Sequence, residues 1–147
     1  MARRKVYKKI DKILPEIEAM VESTIRQAEE AAVKALDDIT QNVWMKADEY
    51  VPKDTEALRN SVDIEQARVV ERNRRAGNSL TRSRISYGNS EVDYAWFVHE
   101  NKPNPPEVKN YTAGPTTGPK YLQKAINEEF TPEKVRESLL KHLKNIK

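Results

Sequence analysis

Two histidines, several adjacent carboxylates and a cluster of arginines are the side chains of this sequence with chemistry to offer. His99 beside Glu100 has the composition of a general acid–base pair. The apolar run 92–99 leads into it. On a strand, neighbouring residues point to opposite faces and cannot share a proton, so the pair reads as a polar rim closing a core segment. His142 falls on the polar side of a C-terminal helical pattern, where a cation suits the helix dipole. Glu29-Glu30 and Asp37-Asp38 lie in a long helical pattern and read as a solvated face. A hard cation would need oxygens converging from more than one element. Ser61 and Ser79 have no histidine at a recognisable spacing. With neither a nucleophile–base pair nor a ligand cluster, the chain reads as non-enzymatic, without catalytic, metal or cofactor residues. Trp44 and Trp96 read as core or interface rather than as a stacking platform.

The arginines are more informative. Residues 68–84 carry six of them, Arg68, Arg72, Arg74, Arg75, Arg82 and Arg84, against the single acid Glu71. On a hairpin they could meet phosphate backbone without reading sequence, or the acidic surface of a neighbouring protein. Both alternatives stay open at this level. The charge elsewhere is also blocked. Residues 3–12 hold six basic side chains against Asp11, whereas 16–49 hold nine acidic ones against Arg26, Lys34 and Lys46. Blocks of alternating sign suit a protein that docks in register onto charged partners or copies of itself.

Composition limits the remaining classes. The 147 residues suit one domain, with 33% charged and 37% hydrophobic residues and a net charge of +3. The absence of cysteine excludes disulfides, thiolate metal sites and cysteine nucleophiles. Four glycines and two histidines argue against phosphate-cradling loops and histidine metal clusters. No run approaches the roughly 18 apolar residues of a membrane span. The basic start Met1-Ala2-Arg3-Arg4-Lys5 lacks the apolar stretch of a secretory signal.

The elements that must position these groups follow from periodicity. Apolar positions from Ile17 to Val43 recur at three and four and predict a long helix over 16–50, Ala-rich in its middle so that a neighbour can approach closely. Pro15 suits its first turn, Glu16, Glu18 and Glu22 suit its positive end, and Pro52 stops it. Residues 3–13 predict a separate helical segment within a basic N-terminal arm. A strand is expected over 61–71; Val62 and Ile64 share one parity, Ala67 and Val69 the other, which places a bulge near Gln66. Residues 72–81 read as a flexible hairpin connection and 82–88 as the returning strand. Gly88-Asn89-Ser90 is a turn, and 92–99 is a buried strand or short helix. Five prolines within 101–119 exclude regular structure there. Helices are expected over 120–129 and from about 132 to 145, the last opened by Thr131 as N-cap and Pro132 at its first position. The expected fold is α+β: a long N-terminal helix packed on a small antiparallel sheet with a long hairpin, followed by C-terminal helices.

Three segments in order carry a resemblance. Tyr50-Val51-Pro52-Lys53-Asp54-Thr55-Glu56-Ala57-Leu58-Arg59-Asn60-Ser61-Val62 resembles the turn motif of the small tail-component or head–tail joining family of long-tailed bacteriophages. Tyr94-Ala95-Trp96-Phe97-Val98-His99-Glu100 resembles that family's second segment, and Gly118-Pro119-Lys120-Tyr121-Leu122-Gln123-Lys124-Ala125 its third. The positions carrying the likeness are Pro52, Asp54, Thr55, Leu58, Arg59, Ser61, Tyr94, Ala95, Glu100, Tyr121, Leu122 and Ala125. Two family glycines are replaced, by Glu56 after Asp-Thr and by Asn101-Lys102 after the second segment. Locally, Asp54 or Thr55 can cap a short helix from which Leu58 and Val62 bury toward the sheet while Arg59 stays outside.

The resemblance implies a neck or tail-completion protein of the virion. It would assemble as a homo-oligomeric ring and join tail proteins to the head connector or stopper, after assembly in the host cytoplasm. A tail terminator or minor capsid protein is the alternative within that class. A small basic nucleic-acid-binding protein is the alternative outside it. The docking candidates are then the arm residues Arg3, Arg4 and Lys5, the hairpin residues Arg72, Arg74, Arg75, Arg82 and Arg84, and Pro105 and Pro106 of the proline loop. Contact with packaged DNA would be non-specific, and no membrane is involved.

Overall fold

A computed structural model describes residues 2–52, 56–73, 75–100 and 119–144, with side chains from residue 13 onward except Phe97. It is α+β as expected. Helix α1 (Ala2–Tyr50) is followed by α2 (Glu56–Asn60), strands β1 (Asp63–Asn73) and β2 (Asn78–Ser86), and helices α3 (Ala95–Glu100), α4 (Tyr121–Glu129) and α5 (Pro132–Lys144). Asp54, Thr55, Arg74, Pro105 and Pro106, and the side chains of Arg3, Arg4 and Lys5, lie outside the described residues.

The two expected N-terminal segments are one helix of 49 residues, about 73 Å long at 1.5 Å per residue. Pro15 sits inside it, not in its first turn, and no acid lies in that first turn. A proline there removes one hydrogen bond and crowds one carbonyl, a local cost that does not end the helix when good formers continue on both sides. The stop at Tyr50 is as expected: Val51 still donates to Ala47 O at 2.9 Å, and Pro52 follows, buried.

The packing face of α1 is a row spaced by four: Ala31, Ala35, Ile39, Val43, Ala47 and, just past the helix, Val51, all buried. Because four residues overshoot one turn, this row winds round the helix. The hairpin, α4 and α5 all pack against α1. The alanines allow the close approach inferred from sequence; Ser138 of α5 donates to Ala35 O at 3.3 Å. Two core clusters result. One holds Ile39, Val43, Ala47 and Ala125; the other holds Val51, Leu58, Val92, Ala95, Val98 and Tyr121. Tyr50, Tyr87 and Leu122 border both.

The sheet is a two-stranded antiparallel hairpin. Its connection is far tighter than the ten residues expected, since Asn73 pairs with Asn78. Asn73 Oδ1 accepts the Ala76 N–H at 3.1 Å, and Gly77 takes a positive φ of 63°. The expected bulge is present: Glu65 pairs with Arg84 but Arg68 with Arg82, leaving one extra residue on β1. A second follows, since Val69 pairs with Thr81 and Glu71 with Leu80. Each insertion reverses which parity faces α1. The helix side therefore carries Ile64, then Ala67 and Val69, then Arg72.

Beyond the sheet, the ambiguous run 92–99 is helical from residue 95 onward, as α3. The turn before it is held by Asn89 Oδ1, which accepts the N–H groups of Glu91 and Val92. Gly88 has a φ of 100°, and a Cβ there would lie 2.9 Å from Val92 O, so only glycine fits. Thr131 caps α5 as expected, its Oγ1 accepting the Lys134 N–H at 3.3 Å.

Candidate functional site

Glu30 is exposed, as expected of a solvated face, but Glu29, Asp37 and Asp38 fasten the helix to the rest of the fold. Asp37 Oδ1 accepts the N–H of Ala67, the residue displaced by the first bulge, at 2.5 Å. A bulge leaves such a group without its ladder partner, and the helix carboxylate satisfies it. One turn on, Thr40 Oγ1 and Ser83 Oγ share a hydrogen bond of 2.7 Å, and Thr40 also bonds Leu36 O. Asp38 turns to the other side, where its Oδ2 accepts from Lys141 Nζ and pairs with His142 Nε2, each at 2.9 Å. These two contacts hold the Asp38 carboxyl below the usual carboxylate range, Lys141 most strongly. His142 is thus mostly covered, set against α1 rather than on the polar side expected.

Glu29 pairs with Arg72 across the groove between α1 and the hairpin at 2.9 Å, its side chain only 13% exposed. Arg72 reaches the helix because the second bulge restores its parity. Arg84 pairs with Glu65, its cross-strand partner, at 2.5 Å. Two of the candidate docking arginines are therefore engaged within the chain. Arg82 is not: it lies directly opposite Arg68 on the outer face of the sheet. Arg68, Arg75 and Arg82 are exposed and have no ion pair among the described residues. Like charges directly opposite on a ladder repel, so this outer face favours an acidic partner.

The three motif segments meet around Tyr121. Leu58, Ala95, Val98 and Tyr121 share one buried cluster, with Tyr94 and Leu122 against it and Ala125 in the adjoining one. The Tyr121 ring makes edge contacts with Tyr87 (centroids 5.2 Å apart) and His99 (5.0 Å). Burial pushes its hydroxyl pKa up to about 12. Tyr87 is shifted upward too, again chiefly by burial, and its hydroxyl has no hydrogen-bond partner among the described residues. Leu58 buries among α3 and α4 residues rather than on the sheet. Ser61 is a fastener: its hydroxyl donates to Leu58 O (2.7 Å) and accepts the Gly88 N–H (2.8 Å). Arg59 is half-buried instead of outside, paired with Asp48.

His99 and Glu100 touch each other, contrary to the strand geometry expected, at the end of helix α3. His99 Nδ1 lies 3.0 Å from Glu100 Oε1, and Lys120 Nζ donates to Glu100 Oε2 at 2.5 Å. Lys120 foremost, then His99, lower the Glu100 pKa. Lys120 N–H also donates to His99 O at 2.7 Å, and Lys120 adopts a left-handed φ of 59°. The group joins α3 to α4 as a clasp, and among the described residues no serine or threonine is hydrogen-bonded to it. Among the described residues no cluster of His, Asp or Glu could hold a metal ion. None of the described helices is long and apolar enough to cross a membrane.

These features define an α+β scaffold in which a long helix buttresses a doubly bulged hairpin. Its polar clusters fasten elements, and its candidate sites are surfaces. No protein-family model matches the chain, and no curated protein or solved structure matches it.

Proposed function

We propose that this chain is a structural protein of the head–tail junction of a long-tailed bacteriophage, a neck or tail-completion subunit that assembles as a ring and joins the tail to head-connector proteins. The observation that carries this reading is the three ordered motif segments, whose apolar positions meet in one core around Tyr121. Residues that resemble a family at separated places in a chain are expected to converge when the likeness reflects a shared framework. The clustered polar groups have intramolecular roles, which suits a protein that works through its surfaces. The exposed Arg68, Arg75 and Arg82 give the hairpin a cationic outer face for an acidic neighbour in the assembly.

Electron microscopy of lysates from a phage deleted for the gene tests this. Filled heads beside separate tails of normal length are the expected result. Overlong tails would make the chain a terminator instead, and intact infectious particles would overturn the structural reading. The Arg68–Arg82 juxtaposition also favours a second reading, non-specific binding to DNA phosphates. That reading predicts binding to free duplex that weakens with log salt at a slope of about −0.9 per phosphate neutralised. The neck reading predicts little binding to free duplex.

A further inference from the structure

A groove of about 860 Å³ between the N-terminal half of α1 and the tip of the hairpin has a charged floor. Glu18, Glu22, Arg26 and Glu30 lie along it in one row, spaced by four. All four are exposed and have no ion pair among the described residues. Beside the row run Ile17, Val21 and Ile25, between 44% and 53% exposed. The outer face of the hairpin is the second surface left open. Burial alternates along β2: Leu80, Arg82 and Arg84 are exposed, while Thr81, Ser83 and Ile85 turn toward the helix. On β1, Arg68 lies opposite Arg82 and Glu71 opposite Leu80.

We infer that the groove of one copy receives the outer hairpin face of the next, with α1 running alongside β1 in the same direction. Charge sets the register. Steps of four residues along a helix are about 6 Å and steps of two along a strand about 6.8 Å, so the two rows stay level for several positions. With Glu22 placed between Arg68 and Arg82, Glu18 comes level with Arg84 and Arg26 with Glu71. One step further, Glu30 approaches the hairpin tip, where Arg75 is exposed. The signs are opposite at each of the four positions. Reversing the helix about Glu22 sets Arg26 at Arg84 and Glu18 at Glu71, like against like.

The apolar groups follow the same register. Val70 and Leu80 of the hairpin, 37% and 49% exposed, come level with Ile25 of the groove. The contact also accounts for the Arg68–Arg82 juxtaposition. Two guanidiniums directly opposite on a ladder repel, and a carboxylate set between them is held by both. Arg84 keeps Glu65 and takes Glu18 as well, since a guanidinium has five donors. The two surfaces differ, so the contact is head-to-tail and passes from copy to copy. It names the surfaces that would build the ring of the proposed function, and it rests on that ring alone, not on the phage assignment.

The chain has no cysteine, so single-cysteine variants of the full-length protein test the contact. Glu22→Cys and Arg82→Cys copies, mixed and treated with a short bismaleimide, link to each other. Neither variant links to itself when alone, because the two surfaces differ. In sedimentation equilibrium, Glu22→Lys and Arg82→Glu each weaken self-association at least tenfold, and both changes in one chain recover most of the loss. Binding of DNA to the arginines would give no such recovery. Both positions are exposed in the single chain, so the helical circular dichroism signal is retained. A parent that is monomeric up to millimolar concentration overturns the inference. So does either cysteine variant linking to itself as readily as to the other, or a double reversal no better than the single ones. Intact particles in the gene-deletion lysate together with mixed linking would remove the neck reading and leave the contact standing. Separate heads and tails without mixed linking would do the opposite.

Discussion

Asp37→Ala tests whether the long helix holds the hairpin in register. In the parent, Asp37 Oδ1 accepts the N–H of Ala67, a buried residue at the first bulge. Removing the carboxylate leaves that donor covered and unpaired. Hydrogen bonds to a charged acceptor contribute about 1.5–3 kcal/mol, so a loss of roughly 2 kcal/mol is expected. For a chain of this size that lowers Tm by about 4–8 °C. Urea unfolding should show a lower midpoint with an unchanged slope, because the surface exposed on unfolding is the same. Asp37→Asn keeps an oxygen acceptor and loses the charge, so it should recover about half the deficit. The reasoning fails if Asp37→Ala stays within about 0.5 kcal/mol of the parent, or if Asp37→Asn is as damaging as Asp37→Ala.

Three further outcomes are expected. Tyr87→Phe removes a buried hydroxyl with no partner among the described residues and should be neutral or stabilising by about 1 kcal/mol, read as a raised urea midpoint. The Asp38 carboxyl has a lowered folded pKa, so its contribution is complete above the ordinary carboxylate pKa and is lost as pH falls through the lower folded value. Asp38→Asn should therefore flatten the acid limb of the stability profile below the ordinary carboxylate range, by well under 1 kcal/mol because the pair is solvent-screened. Arg82→Glu converts the Arg68–Arg82 repulsion into an attraction and should raise stability by about 0.5 kcal/mol in thermal melts, while weakening any acidic partner's docking.

The architecture was largely legible because its signals are local. The apolar spacing from Ile17 to Val43 announced the helix, the parity change between Ile64 and Ala67 announced the first bulge, and Thr131-Pro132 announced the start of α5. The second bulge was not legible, since Glu71, Arg72 and Asn73 are all polar and carry no parity signal. Pro15 misled because proline is read as a boundary, whereas the helix on either side of it supports its continuation. The fastening roles of Asp37, Asp38 and Glu29 depend on partners 30 or more residues away, which local patterns cannot supply. The first bulge still held a usable hint: an extra residue implies an orphaned N–H, and an acidic helix nearby implies its acceptor.

The two bulges also bear on which sequence changes this chain tolerates. Each single insertion in β1 inverts which sequence parity faces the helix, and the second undoes the first. Deleting Gln66 or Val70 alone would remove its bulge and leave the later pairs, Arg72 with Ser79 included, as they stand. What would be lost is the local bend and added twist that a bulge gives its strand. Lineages of this protein should therefore be able to lose a single β1 residue at either bulge and still keep the hairpin tip against its helix.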